Sequence, residues 1–316
     1  MILADSIINL IGNTPLVHLG RLRGKNDATI VAKLESYNPG GSIKDRIAHA
    51  MISDAEERGV LKPGDTIVEP TAGNTGLGIS AVGIASGYPV ILTMPENVSQ
   101  EKYTLLSAFG AKIILTPENA GMAGAIWEAE EIVKQNPRHF MPNQFKNPAN
   151  AEIHRKTTAR EIIDTLDRPV DFFVTGVGTG GTLTGVGEVL KSCYPDVQVV
   201  AVEPDVSPVI SGGEPGPTRI DGIGAGIIPE ILNVDIIDQV LTVPDEEAYR
   251  MMKHISKTEG LLVGMSSGAN VHAALRIAKD LGKDKTVVTV LPDTGERYFS
   301  LSQYFEPKTD ILSLLP

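Results

Sequence analysis

Lys44 is the residue whose sequence context most clearly indicates a chemical role, because a glycine-rich turn precedes it. The segment from Asn38 to Arg46 reads NPGGSIKDR, which predicts that Lys44 lies in the first turn of a helix running to about Arg58. The partial positive charge at a helix start disfavours an ammonium group, and burial lowers a lysine pKa further. A neutral amine is the form that reacts to give a Schiff base. Taken by itself, however, the segment fits an ordinary capping turn with a solvated lysine better.

A second candidate segment is EPTAGNTG, from Glu69 to Gly76, which joins a predicted strand to a predicted helix. Its hydroxyls, its side-chain amide and its backbone N–H groups could hold a carboxylate. Glycine is also expected in any tight turn at this point. The presence of Thr71, Asn74 and Thr75 together favours the binding interpretation.

The third segment, GVGTGGT from Gly176 to Thr182, also follows a strand and opens a helix. Such a loop suits a phosphate group. It also fits the G-x-G-x-x-G pattern of dinucleotide-binding proteins, and Glu203 ends the next strand where a ribose-binding acid would lie. From this segment alone, a lone phosphate and a dinucleotide are equally good predictions, and a nicotinamide-dependent dehydrogenase stays open.

The remaining reactive side chains carry weaker signals. The segment GMSSG, from Gly264 to Gly268, precedes a helix, and an N-capping serine explains it as well as a binding site does. The six histidines have no metal-ligand spacing, so we predict no metal site. Cys193 lies late in an apolar helix and is predicted to pack in the core.

The elements that must position these segments alternate between strands and helices. Apolar strand-like runs begin near residues 66, 89, 111, 171, 197 and 286, and helices are predicted between them. This alternation predicts mostly parallel sheets covered by helices on both faces. Two such runs indicate an α/β protein with two doubly wound domains, and the segment 143–150 is the best candidate boundary. Loops placed after parallel strands are where such sheets bind ligands.

Size and composition narrow the class of protein. The chain has 316 residues, a net charge of −11 and one cysteine. The acidic balance argues against a nucleic-acid partner, and the single cysteine fits a reducing compartment. The uncharged stretch 70–95 is rich in glycine and polar residues, so we expect no membrane span there. The first ten residues lack the pattern of a signal peptide. These features together predict a cytoplasmic protein.

Taken together, these segments closely resemble the O-acetylserine sulfhydrylase (cysteine synthase) family of fold-type II pyridoxal-phosphate enzymes. The resemblance extends over nearly the whole chain, from Ile11 to Tyr298. It implies a tryptophan synthase β-like fold, with a smaller mobile domain at residues 45–150 and a larger domain formed by residues 1–44 and 151–316. The matching motifs, besides those above, are IGNTPL (11–16), QFKNPAN (144–150), GIGAG (222–226) and GERY (295–298).

The resemblance also implies a role for each candidate residue toward pyridoxal 5'-phosphate. Lys44 would bind the cofactor as a Schiff base and act as the catalytic base, and Asn74 would hydrogen-bond the ring hydroxyl. Ser266 would face the pyridine nitrogen. The phosphate would lie against Gly178, Thr179, Gly180, Gly181 and Thr182. The substrate would contact Thr71, Ala72, Gly73, Thr75, Gln144 and Gly222.

The implied reaction is β-replacement, in which a transferase makes L-cysteine from O-acetyl-L-serine and sulfide. One departure bears on the second substrate: many cysteine synthases have serine where this chain has Ala72. Alanine there resembles relatives that make cystathionine from O-acetylserine and homocysteine, and that activity is the alternative. The resemblance favours a single phosphate over a dinucleotide in the third segment. It further implies a homodimer and a complex with serine acetyltransferase.

Overall fold

The fold contains two separate β-sheets flanked by helices. The computed structural model describes residues 3–306; Met1, Ile2 and residues 307–316 lie outside the described part, so the predicted larger domain is seen only as far as Glu306. The larger sheet has six strands in the order β1-β2-β10-β7-β8-β9, and the smaller has four in the order β5-β4-β3-β6. All neighbouring pairs are parallel except β1 with β2. The prediction of an α/β protein with mostly parallel sheets is confirmed.

The larger sheet joins strands from both ends of the chain. Its central strand, β10, pairs with β2 on one side and with β7 on the other. Every residue of β10 is buried, as expected for a strand covered on both faces. The six strands are β1 (Leu16–His18), β2 (Thr29–Leu34), β7 (Phe172–Gly176), β8 (Gln198–Pro204), β9 (Gln239–Val243) and β10 (Thr286–Leu291).

The smaller sheet is built from one continuous stretch of chain. Its strands have an apolar core of their own, which includes Ile67, Leu92 and Met94, each fully buried. The four strands are β3 (Thr66–Pro70), β4 (Val90–Pro95), β5 (Lys112–Thr116) and β6 (His139–Phe140).

The helices that follow the strands carry the candidate segments at their first turns. Lys44 is the first residue of α1, Asn74 the first of α2, and Gly181 the first of α7. The helices are α1 (Lys44–Glu57), α2 (Asn74–Ala85), α3 (Gln100–Ala108), α4 (Gly121–Gln135), α5 (Ala149–Ile153), α6 (Ala159–Thr165), α7 (Gly181–Cys193), α8 (Asp245–Glu259), α9 (Met265–Leu281) and α10 (Ser302–Phe305), and a π-helical segment (His154–Thr158) joins α5 to α6.

A cluster of buried charges fixes α1 against the larger sheet. Arg46, which is 1% exposed, bonds the Glu35 carboxylate through Nε at 2.7 Å and the Glu161 carboxylate through Nη1 at 2.7 Å. Lys33 on β2 makes a 2.6 Å ion pair with Glu161. Burial alone would raise the pKa of Glu161, but the hydrogen bonds and charges of Arg46 and Lys33 lower it to about 2. The ion pairs of Arg46, two residues after Lys44, therefore hold the start of α1 in place.

Candidate active site

A cavity of about 280 Å³ lies between the two sheets, and the loops at the carboxyl ends of the strands line it. A smaller pocket of about 40 Å³ adjoins it and shares Lys44, Asn74 and Gly178 with it. Open α/β sheets bind ligands at this edge. With the exception of Gly181, all of the predicted site residues line one or both of these pockets. Gly181 lies between the lining residues Gly180 and Thr182. The residues that line the pockets are Lys44, Thr71, Ala72, Gly73, Asn74, Thr75, Gln144, Gly178, Thr179, Gly180, Thr182, Gly222 and Ser266.

Lys44 enters the cavity from the first turn of α1, as the sequence predicts. The preceding turn has Gly41 at φ +78°, a conformation that a residue with a side chain rarely adopts. Ser42 Oγ accepts a hydrogen bond from the backbone N–H of Lys44 at 3.2 Å. Burial lowers the pKa of Lys44 to about 8, although the nearby Asp293 carboxylate opposes this shift. A large fraction of the Lys44 amine is therefore neutral near pH 8.

The strand-to-helix turn after β3 brings together the predicted carboxylate-binding groups. Thr75 Oγ1 donates to Gln144 Oε1 at 2.6 Å, although 69 residues separate them. Gln144 is held in turn by Glu69, which accepts its backbone N–H at 3.2 Å and that of Asn143 at 3.0 Å. Burial raises the pKa of Glu69 to about 7, against the effect of these two bonds. Adding a Cβ to Gly73 meets no atom within 4 Å, so this turn faces open space.

The glycine loop before α7 is packed too tightly to accept side chains. A Cβ on Gly178 would overlap the carbonyl oxygen of Gly222, and a Cβ on Gly181 would overlap the side chain of Asn150. Gly180 has φ +87°. The N–H groups of a first helical turn have no partners within the helix, so this backbone can donate to an anion. The same loop shape would be lost with alanine at any of these three positions.

Ser266 lines the smaller pocket, as Asn74 does. Helix α9 begins at Met265, so Ser266 and Ser267 lie in its first turn rather than in a loop before it. The segment GMSSG was expected to precede this helix, but Met265 to Gly268 form its first turn, because these small residues look like a turn in the sequence. Ser266 is 3% exposed, and its hydroxyl lies 4.0 Å from the position that a Cβ on Gly222 would take.

Glu203, the residue that suggested a ribose site, already has partners within the protein. Its carboxylate accepts the backbone N–H of Ile210 at 2.8 Å and that of Ser211 at 3.0 Å. The side chain is 2% exposed and holds the start of the loop that follows β8. This arrangement gives Glu203 a structural role and leaves no free carboxylate for a ribose.

Two charged residues at the cavity were missed in the sequence. Lys102 on α3 donates to Asp221 at 2.5 Å, across 119 residues of chain, and both side chains line the larger cavity. The neighbouring Glu101 accepts from the backbone N–H and the hydroxyl of Ser300, at 3.0 and 2.7 Å. Lys102 belongs to no glycine-rich loop, and although Asp221 directly precedes the GIGAG motif, nothing in the sequence indicates that the two residues pair across the fold.

Cys193 was predicted to lie in the core, and the structure shows that this prediction is wrong. It is the last residue of α7 and is exposed, because the packed face of the helix ends at Leu190. Within residues 3–306, no group of three or more His, Cys, Asp or Glu side chains could hold a metal ion. No helix in the same range is both long and apolar enough to cross a membrane.

Comparison with known proteins agrees with this geometry. The family described as pyridoxal-phosphate dependent enzyme matches residues 7–293. The chain therefore belongs to the pyridoxal-phosphate dependent enzymes, and pyridoxal 5'-phosphate is its cofactor. A cysteine synthase of Staphylococcus aureus is 52% identical over 301 residues, which cover 95% of this chain and 97% of the relative.

The solved structures that resemble this chain include proteins named for more than one activity. The cysteine synthase of Entamoeba histolytica has a TM-score of 0.92 at 39% identity, covering 98% of this chain and 93% of that one. An O-acetylserine dependent cystathionine beta-synthase of Helicobacter pylori has a TM-score of 0.88 at 39% identity, covering 95% and 98%. The fold and the resemblance to O-acetylserine sulfhydrylases are thus confirmed.

The residues of the two pockets fit this cofactor. A Cβ at Gly73 would meet no atom within 4 Å, and the nearest atom to a Cβ at Gly222 would be the Ser266 hydroxyl oxygen at 4.0 Å, so neither position crowds the space that a ligand would occupy. The anion-binding backbone of the α7 loop opens onto the smaller pocket, where it suits a phosphate. A partly buried lysine with a lowered pKa stands at the same pocket. A lysine amine and a loop that can bind an anion are both groups that hold a phosphorylated aldehyde cofactor of this kind.

Proposed function

We propose that this protein makes L-cysteine from O-acetyl-L-serine and sulfide by β-replacement. The observation that carries the proposal is the cavity that joins Lys44, the Thr71–Thr75 turn and the glycine loop of α7. These three features supply covalent attachment, carboxylate binding and phosphate binding in one continuous space. The identity to a named cysteine synthase over 95% of the chain supports the same conclusion.

The cofactor-holding roles follow from position. Lys44 Nζ would form the covalent link, and Asn74 would donate to the ring hydroxyl. The backbone of Gly178, Thr179, Gly180, Gly181 and Thr182 would bind the phosphate at the start of α7, where the helix dipole favours an anion. When bound, the cofactor supplies an electron sink for charge that develops at the substrate Cα.

Lys44 would also move the proton that the reaction requires. Once freed from its covalent link, its neutral amine can accept the proton from the substrate Cα, which a general base of near-neutral pKa does well. Acetate then leaves from the β-carbon, sulfide adds there, and Lys44 returns a proton to Cα. Proton uptake and return at one nitrogen leave the enzyme unchanged at the end of the cycle.

Two other groups direct the reaction toward replacement. Ser266, opposite the ring nitrogen, offers a hydroxyl and cannot hold a full positive charge there as a carboxylate would. The ring is then a weaker sink, which favours loss of the β-substituent over transamination. Hydroxyl, amide and backbone N–H groups would surround the substrate carboxylate, so no arginine pair is needed to bind it. These groups belong to Thr71, Ala72, Gly73, Thr75 and Gln144.

The second substrate is tested by direct competition between sulfide and homocysteine. Ala72 removes a hydroxyl beside the substrate, which is the one feature that favours homocysteine. We expect kcat/KM to be higher with sulfide, because the Gly222–Gly226 segment resembles that of cysteine synthases and a cysteine synthase is 52% identical over 95% of this chain. The Ala72→Ser variant is the matched control, and its preference should move further toward sulfide. A much larger kcat/KM with homocysteine would show that the alternative, cystathionine synthesis, is correct.

The lowered pKa of Lys44 predicts how cofactor uptake depends on pH. Schiff-base formation needs the neutral amine, whose fraction rises about tenfold per pH unit below the pKa. We expect the rate at which apoprotein takes up pyridoxal phosphate to rise between pH 6 and about 8 and to level off above. Stopped-flow absorbance measures this rate, and the Lys44→Ala variant reports the pH dependence of noncovalent binding. A rate still rising at pH 10 would contradict the assignment.

We also propose the domain division that the sequence suggests. Residues 45–150 would form the smaller, mobile domain, and residues 1–44 and 151–316 the larger. The confinement of β3 to β6 to one sheet with its own core supports the division. The contacts of Glu101 with Ser300 and of Lys102 with Asp221 would have to break when the smaller domain moves, whereas the ion pairs of Arg46 would keep the start of α1 on the larger domain.

The assembly and location of the protein complete the proposal. The resemblance supports a homodimer and a complex with serine acetyltransferase, whose C-terminal tail would bind. The single cysteine and the acidic composition support a cytoplasmic enzyme with small-molecule substrates and without a nucleic-acid or membrane partner.

A further inference from the structure

The GERY motif lies beside the cofactor-binding residues, and its arginine contacts two of the segments that carry them. Arg297 lies in the 3-10 helix Gly295–Leu301, shortly after β10, and is 9% exposed. Its Nη1 donates to Asn74 Oδ1 at 2.5 Å, and its Nη2 donates to the carbonyl oxygen of Gly40. One guanidinium therefore contacts both the turn that delivers Lys44 and the side chain of Asn74.

Asp293 holds the opposite end of the same amide. It is 1% exposed, and its Oδ2 accepts from Asn74 Nδ2 at 2.6 Å and from the hydroxyl of Tyr298. With a cation at its oxygen and an anion at its nitrogen, the Asn74 amide has one favourable orientation. A flip would place N–H donors against a guanidinium, which only donates.

The turn before Lys44 is fixed by the same segment. Ser42 forms a β-bridge with Asp293, and the N–H of Ile43 donates to the carbonyl of Pro292 at 2.8 Å. On the other side of the turn, the Asp45 carboxylate accepts the N–H of Gly40 at 2.5 Å. Residues 292–297 thus contact the backbone on the approach to Lys44 and the side chain of Asn74 together.

We propose that Asp293 and Arg297 are positioning residues that fix the Asn74 amide and hold it at a set distance from Lys44. They would act through these two groups, and Arg297 also lines the larger cavity. The inference rests on the proposed function, since it takes Lys44 as the covalent link and Asn74 as the partner of the ring hydroxyl. Its consequence is that the segment 292–297 determines the geometry and the affinity of the bound cofactor.

The test uses two conservative variants, Arg297→Lys and Asp293→Asn. Lysine keeps the charge but cannot reach both acceptors as the guanidinium fork does, and asparagine removes the anion without changing shape. We expect a shifted absorption band for the bound cofactor and a dissociation constant raised about tenfold or more, as the loss of a charge-assisted hydrogen bond implies. Arg250→Lys, at an arginine with 70% exposure, is the matched control and should leave both unchanged.

Coupling to Asn74 separates positioning from general stability. In a double-mutant cycle, Arg297→Lys should add little to the effect of Asn74→Ala on the dissociation constant. Fully additive effects, or a lower melting temperature of the apoprotein with an unchanged band and dissociation constant, would overturn the inference. If Asn74→Ala itself left the band and the affinity unchanged, the role of Asn74 in the proposed function would be wrong, and the inference would fall with it. If Asn74→Ala shifts the absorption band while Arg297→Lys and Asp293→Asn behave like the wild-type protein, the inference is overturned and the proposed function stands.

Discussion

Replacing Lys44 with alanine should reduce turnover by a factor of at least about 10⁴ and abolish the colour of the bound cofactor. The variant loses the covalent link and the proton-transferring amine together, and general base catalysis alone contributes up to about 10⁴-fold. Steady-state assays with O-acetylserine and sulfide measure the first effect. An absorption spectrum of the purified variant measures the second.

The site of attachment can be tested without relying on activity. Borohydride reduction of the wild-type protein, followed by peptide mapping, should place the cofactor label on residue 44. The melting temperature of the Lys44→Ala apoprotein should match that of wild-type apoprotein, which excludes misfolding as the cause of the loss. A label on another lysine, or a coloured and active variant, would refute the central assignment.

Replacing Arg46 with alanine should lower the free energy of unfolding by about 3–5 kcal/mol, the usual cost of breaking a buried ion pair from one side. Arg46 is 1% exposed, and Glu35, which accepts from it, is fully buried. The substitution leaves the Glu35 carboxylate without its cation, while Glu161 keeps its ion pair with Lys33 and the N–H of Asn13. Urea denaturation monitored by fluorescence and by circular dichroism measures the change.

A surface ion pair of similar geometry provides the control. Arg250 pairs with Glu247 at 2.8 Å, with 70% of its side chain exposed. Exposed pairs contribute between about 0 and 1 kcal/mol, so Arg250→Ala should change the free energy of unfolding by no more than that. Equal effects at Arg46 and Arg250 would mean that the buried cluster does not stabilise α1.

The sequence predicts the parts of the fold in which local pattern and final structure agree. The strands predicted to begin near residues 66, 89, 111, 171, 197 and 286 are apolar runs, and each is found within a few residues of its predicted place. The strands β1, β2, β6 and β9 were missed. β2 carries Lys33, whose charge suggests exposure, although the residue is fully buried against Glu161. β1 and β6 have three and two residues, too few for a periodic pattern.

Some residues of the candidate site could likewise be predicted from the sequence, and others could not. The glycine loops and Lys44 were found because turn geometry and helix starts leave a local signal. The contacts of Asn74 with Asp293 and Arg297 join residues 219 and 223 positions apart, and no local pattern indicates such pairs. The motif that contains Arg297 was recognised from its resemblance, but its contacts could be read only from the folded chain.

The position of β10 in the larger sheet constrains how the protein folds during synthesis. Its two neighbours, β2 and β7, have no direct pairing with each other, and β10 begins at residue 286. While the nascent chain emerges from the ribosome, both neighbours present open edges until almost the whole chain is available, whereas the four-stranded sheet is already complete in sequence by residue 140. Open strand edges promote aggregation. Premature termination before β10 should therefore yield a product that chaperones retain or that precipitates, because the edges of β2 and β7 that face β10 stay unpaired.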